Sequence, residues 1–140
     1  MYSIIDTGSS ALILSSYFFK DIIKKIYKYV GDDEYVIRTG YVFTRCYDNF
    51  PNLYFMFDGH WIEIRPEEYV WDTSRAQDRS QCVLLMSSIE GPMNILGMPL
   101  FHGYYTIHDM EEGRLGYVPH HNSQKGPLEP GLRPIKLLKK

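Results

Sequence analysis

The feature that most constrains this chain is a change of period. From Tyr35 to Pro119, apolar residues come in short runs or alternate with polar ones, and turn formers separate the runs. Tyr35-Val36-Ile37 and Tyr41-Val42-Phe43 bracket Gly40, Leu53 to Phe57 and Trp61 to Ile64 bracket Asp58-Gly59, and Tyr104 to Ile107 and Leu115 to Val118 flank Glu111-Glu112-Gly113. Runs this short, rich in β-branched and aromatic residues, read as strands. Asp-Gly between two of them is a strong hairpin signal, because those residues tolerate the positive φ of a tight turn. Cys82 to Met86 is a further candidate for a buried strand, Pro66 to Tyr69 is a corner, and Asp72 to Ser80 is a polar loop. The expected fold class is all-β with one or two short α-helices.

The helical exception comes early. Ser15 or Ser16 offers an N-cap for a helix from about Tyr17 to Tyr29. Phe18, Ile22, Ile26 and Val30, with Phe19, Ile23 and Tyr27, share one side, while Lys20, Asp21, Lys24, Lys25 and Lys28 take the other. Gly31 ends it. The basic stripe reads as a solvated face, with polyanion binding as the alternative.

Composition bounds the rest. A chain of 140 residues, 44% apolar, with a net charge of −2, fits one globular domain able to bury a core without metals or many disulfides. It excludes a chain disordered throughout, a collagen-like repeat and a Cys-rich scaffold. From His120 onward there are five Lys or Arg against one Glu, so this segment carries +4 and residues 1–119 carry the balance of −6. The division is therefore a domain at 1–119 and a basic, Pro- and Gly-containing tail at 120–140 that reads as disordered. A near-neutral total gives no global field for nucleic acid or an anionic membrane. No apolar run approaches the roughly 20 residues that span a bilayer, and Met1 to Ile5 lacks the basic and apolar regions of a signal peptide.

No cofactor or metal is expected. The five histidines lack ligand spacing, and there is no Gly-rich phosphate loop. Cys46 and Cys82 lack C-x-x-C spacing; they are either two buried thiols or one bridge, which would be worth about 3 to 4 kcal/mol in the chain-entropy model.

Chemistry concentrates at Asp6-Thr7-Gly8-Ser9-Ser10, directly after the apolar strand Tyr2 to Ile5. Alone, that pentapeptide reads as an Asx-turn. The order of the following features adds meaning: an amphipathic helix, Cys46, Pro51-Asn52-Leu53-Tyr54-Phe55 with the Gly59 hairpin, Cys82, Ile95-Leu96-Gly97, Tyr104 to Asp109, and Arg114-Leu115-Gly116-Tyr117. From about Tyr2 to Pro119 this resembles the carboxy-terminal lobe of pepsin-like aspartic proteases, peptidase family A1. The resemblance implies one lobe of a pepsin-like acid protease barrel lacking its first strands, with Asp6 as a catalytic aspartate. It further implies that Thr7 and Gly8 build the turn that fixes the carboxylate, that Ser9 hydrogen-bonds it, and that Cys46 and Cys82 form a disulfide. Ile4, Ser10 and Ile95 would wall the substrate cleft. Ser9 stands where that lobe more usually has Thr, keeping the hydroxyl, and Met98 stands where an Asp often follows Ile-Leu-Gly.

Such enzymes need two carboxylates, because a close pair shares one proton: the ionised member activates a water and the protonated member donates to the developing oxyanion. This sequence holds one Asp-Thr-Gly. The expectation is an aspartic endopeptidase present as a single lobe, inactive alone, acting on polypeptide with a missing amino-terminal lobe. The alternatives are a retropepsin-like homodimer, in which a second copy supplies the other aspartate, and a non-catalytic peptide- or protein-binding relic. The resemblance places the chain in the secretory pathway, in a vacuole or lysosome, or outside the cell.

Overall fold

A computed structural model describes residues 2–57, 59–73, 81–123 and 129–130. The opening segment forms β1 (Tyr2–Ile5) and β2 (Leu12–Ser15), then α1 (Ser16–Val30). Gly31 closes α1 in the left-handed conformation, φ 86°, its N–H bonded to Tyr27 O. The two serines do not cap with their hydroxyls. Ser15 N–H donates to Asn94 Oδ1 at 2.9 Å and Ser16 Oγ to Ile89 O at 3.2 Å, so both tie the helix start to the sheet beneath it.

Short strands follow: β3 (Tyr35–Arg38), β4 (Tyr41–Thr44), β5 (Leu53–Phe57) and β6 (His60–Ile64). Next come the single turn α2 (Pro66–Tyr69), β7 (Val70–Asp72), β8 (Cys82–Leu84), β9 (Met86–Ile89), β10 (Met93–Leu96) and the single turn α3 (Met98–Phe101). The chain continues as β11 (Tyr104–Asp109), β12 (Arg114–Pro119), a 3-10 turn at His121–Ser123 and β13 (Glu129–Pro130). The fold is thus mainly β with few helices, as its periodicity implies.

The described residues form four sheets, in the orders β1-β10-β2-β9, β3-β4-β8-β7, β13-β6-β5 and β11-β12. The hairpin signal at Asp58-Gly59 is realised as β5 against β6, from Leu53↔Ile64 to Phe57↔His60, with Gly59 at φ 78°. The apolar run Cys82 to Met86 is two strands rather than one, and Leu85 is where it changes sheets. Leu85 N–H donates to Tyr69 O at 2.7 Å, while Leu85 O accepts from Leu12 N–H at 2.9 Å. β8 therefore pairs with β4 and β7, and β9 runs parallel to β2.

One apolar cluster joins these layers, with Ile23 and Ile26 of α1 meeting Leu12, Leu14, Val42, Ile62, Ile64, Tyr69, Leu84, Met86, Leu96 and Leu100. All are almost fully buried. Within the basic extension, Ser123 O accepts from Arg65 Nη1 at 3.1 Å and β13 pairs antiparallel with β6; residues 124–128 and 131–140 lie outside those described, as do 74–80 of the expected polar loop. Among the described residues no helix is long and apolar enough to cross a membrane.

Candidate active site

β10 positions the site by lying between two segments from the other end of the chain. It runs parallel to β1 (Ile4↔Ile95, Ile5↔Leu96) and antiparallel to β2 (Leu96↔Leu12). Immediately after β1, Asp6 N–H donates to Leu96 O at 3.0 Å, so the aspartate leaves the strand from a fixed point. Ser9 N–H then returns to Asp6 O at 3.3 Å, and Ser9 O accepts from Met98 N–H at 2.8 Å. The turn 6–9 is thereby pinned on both sides to 96–98.

Gly97 permits this approach. A Cβ there would lie 2.2 Å from Ser9 O and 2.5 Å from Ala11 O, far inside contact distance of backbone that cannot move aside. Ile-Leu-Gly is therefore a segment whose last residue must have no side chain if the two chain segments are to touch.

The Asp6 carboxylate accepts two hydrogen bonds, from Gly8 N–H to Oδ1 at 2.9 Å and from Ser9 Oγ to Oδ2 at 2.6 Å. Both stabilise the anion, and the Ser9 hydroxyl, then the Gly8 amide, hold the carboxyl below the usual Asp value against a smaller opposing effect of desolvation. Asp6 is part-exposed, between the exposed Thr7 and Gly8 and the half-buried Ser9. The arrangement presents an ionised carboxylate with both oxygens oriented, at a surface another group can reach.

Ile4, 47% exposed, and its register partner Ile95, half-buried, lie on the strands leading into the turn. Ser10 is exposed, and its Oγ is 3.3 Å from Tyr41 Oη. The fold thus gathers Ile4, Asp6, Thr7, Gly8, Ser9, Ser10 and Ile95 into one region. Tyr41 is an added neighbour that sequence reasoning misses, since nothing in the spacing links β4 to a turn 31 positions away.

Cys46 and Cys82 stand apart from that region. They form the disulfide, with Cα atoms 5.1 Å apart, clipping the end of β4 to β8. Among the described residues, one group of metal-ligating types comes together, Cys46, Asp72 and Cys82, with ligand atoms within 4.8 Å of one another. The two sulfurs are bonded to each other, so thiolate ligation is not on offer.

Comparison with known proteins bears on the whole arrangement. The family profile described as eukaryotic aspartyl protease matches residues 1–120. The chain is 27% identical over 124 residues to gastricsin of Mus musculus, covering 83% of this chain and 29% of gastricsin. It is 29% identical over 126 residues to cathepsin D of Rattus norvegicus, covering 83% of this chain and 28% of that protein. With vacuolar protease A of Arthroderma otae it shares 27% identity over 113 residues, 81% of this chain and 26% of the relative. The chain thus spans less than a third of the length of these curated relatives. Because the profile covers the strand, the Asp-Thr-Gly turn and the crossing segment that holds it, the chain belongs to the eukaryotic aspartyl protease family.

Proposed function

We propose that this chain is the carboxy-terminal lobe of a two-lobed aspartic endopeptidase, with Asp6 as one of its two catalytic carboxylates. The observation that carries the reading is the Asp6 carboxylate itself, bonded on one oxygen by Ser9 and on the other by Gly8 and still accessible. A group held ionised in this way is suited to be the base of the pair.

In this reading Asp6 takes a proton from a water shared with the second carboxyl, and the water oxygen bonds to the scissile carbonyl carbon. The second carboxyl, protonated at the outset, gives its proton to the carbonyl oxygen. Collapse of the tetrahedral species breaks the C–N bond as the leaving amine takes the proton held by Asp6 and a hydroxyl on the tetrahedral carbon returns its proton to the second carboxylate. Thr7 and Gly8 shape the turn, Ser9 fixes the carboxylate, and Ile4, Ser10 and Ile95 contact the polypeptide substrate.

Two observations favour a single lobe. The chain matches under a third of each relative's length. It also exposes large apolar side chains on β1 (Tyr2, 74%) and on the β11–β12 hairpin (Tyr105, 59%; Ile107, 55%), where another lobe would find apolar surface to cover. The disulfide, and the likeness to a vacuolar protease, support an oxidising compartment such as a vacuole, lysosome or the cell exterior.

The test is reconstitution. The chain alone, assayed on peptides at about pH 3 to 5, the range where such carboxylate pairs share a proton, is expected to show no turnover. Refolded with a separately expressed amino-terminal lobe bearing a second Asp-Thr-Gly, it should cleave, and Asp6→Asn should abolish that cleavage. Turnover by the chain alone, rising with the square of its concentration, would replace the two-lobe reading with a homodimer. Cleavage surviving Asp6→Asn would remove Asp6 from the mechanism.

A further inference from the structure

The inner half of α1 is committed to the core: Phe19, Ile23, Ile26 and Tyr27 are each no more than 5% exposed. Its outer half is basic. Lys20, Lys24 and Lys28 recur every four residues and are exposed, and Lys25 pairs with Asp21 at 2.6 Å. At 3.6 residues per turn, Tyr17, the four lysines and Asp21 fall within an arc of about 140°, with Tyr29 about 40° beyond it. Tyr17, 78% exposed, and Tyr29, 53% exposed, stand at the two ends of the helix. At 1.5 Å per residue the lysine row is about 12 Å long and the tyrosines are about 18 Å apart along the axis. Four lysines against one aspartate give the helix +3 within a chain of net −2. The face ends at Gly31; beyond it Arg45 lies 3.9 Å from Asp32 and 3.5 Å from Glu34, which offsets part of the acidic charge that follows.

We infer that this face of α1 docks the protein on an anionic membrane surface, with the lysines over the lipid headgroups and Tyr17 at the interface. Charge complementarity carries the choice of partner, and three features favour lipid over a sulfated glycan or nucleic acid. The cations are all lysine, a point charge, with none of the planar arginine forks that recognise individual phosphate or sulfate groups in two-point geometry. Tyr17 lies exposed among them, and such a ring partitions to the headgroup level. The surface is the convex outside of a helix, suited to a plane rather than to a strand lying in a groove. Because the apolar half is locked inside, the helix lies on the bilayer without inserting. The acidic remainder of the domain is repelled, so one orientation is selected. The inference is independent of any role for Asp6.

The experiment is co-sedimentation of the full chain with phosphatidylcholine vesicles containing or lacking about one third phosphatidylserine, a lipid that supplies the negative surface potential. Binding to the anionic vesicles alone is expected, weakening as salt rises. The combined variant Lys20→Gln, Lys24→Gln, Lys28→Gln should lose roughly a hundredfold in partition, from about a factor of five per lysine. Lys24→Gln alone, the milder change, should lose a few-fold with an unchanged melting curve. Tyr17→Ser should weaken binding without altering its salt dependence. The inference is overturned if the lysine variants bind as tightly as the parent. It is equally overturned if Lys136→Gln, Lys139→Gln, Lys140→Gln removes the binding instead, or if the parent is retained by heparin but not by the anionic vesicles.

Discussion

The Asp6 turn and the β11–β12 hairpin are both made from short strands, yet they are completed in opposite ways. Around Asp6, backbone groups from 6–12 are bonded to 85–98, and the residues beneath, Leu12 and Leu96, are no more than 1% exposed. Among the described residues the hairpin pairs only with itself, Tyr105↔Val118 and Ile107↔Gly116. On its outward face Tyr105, with His120 stacked on its ring, Ile107 and Val118 remain 48 to 59% exposed. The first region is closed by the chain's own groups. The second keeps apolar surface in water, which a folded domain tolerates in quantity mainly where something else covers it. The difference separates what this chain builds by itself from what it holds ready for another body.

The sharpest way to break that contrast is to stop the close approach at the turn. Gly97→Ala puts a carbon 2.2 Å from Ser9 O, so the cost should exceed the ~1–3 kcal/mol of ordinary overpacking. A melting curve within error of the parent would mean the crossing is not what organises the turn. Cutting the disulfide by Cys46→Ala with Cys82→Ala should come next, at about 3 to 4 kcal/mol for a loop of 36 residues, read from denaturant midpoints. The Asp6 turn, which the disulfide does not touch, should keep its carboxyl chemical shift in the folded fraction.

Ser9→Ala acts more locally. It removes the larger of the two hydrogen bonds on the carboxylate, so the Asp6 pKa should rise toward the ordinary Asp value, followed by carboxyl-carbon NMR. The sign follows from linkage. Asp6 is held below its unfolded value, so its contribution to stability is present above about pH 4 and is lost as pH falls through the lowered folded value. In Ser9→Ala that loss should be smaller and complete at a higher pH, its onset still set by the unfolded value, and an unmoved titration would show that the hydroxyl does not set the charge. Smallest in stability is Ile107→Thr on the hairpin, within about 0.5 kcal/mol because the site is exposed. Its signature should instead be weaker ANS fluorescence; a large drop in stability would show that the face is already packed within the chain.

Much of this was legible in the residues because the signals are local. The lysine and apolar spacing of α1, the left-handed Gly31 and the Asp58-Gly59 hairpin each depend on neighbours in the sequence. The Asp-Thr-Gly-Ser turn was readable for the same reason, since its carboxylate is bonded by residues two and three positions on. What could not be read was where strands change partners. Cys82 to Met86 is uniformly apolar, and uniform burial hides the switch at Leu85, which depends on Tyr69 and Leu12 from distant segments. β2 and the tether between Ser10 and Tyr41 were hidden likewise. Ser15 stands at the N-cap of α1, as its type suggests, yet Ser15 and Ser16 are held by Asn94 and Ile89 rather than by side-chain capping bonds, which no local rule could name.

The insertion of β10 between β1 and β2 also sets an order of events. Asp6 N–H finds its acceptor on Leu96, and Ser9 O finds its donor on Met98, so each waits for chain some 90 residues downstream. Contacts of that separation form late, because loop-closure entropy must be met before they contribute. During refolding, the aspartate turn should therefore gain amide-exchange protection after α1 and the local hairpins. The carboxylate is set in place by the last crossing of the chain rather than by the first turn it makes.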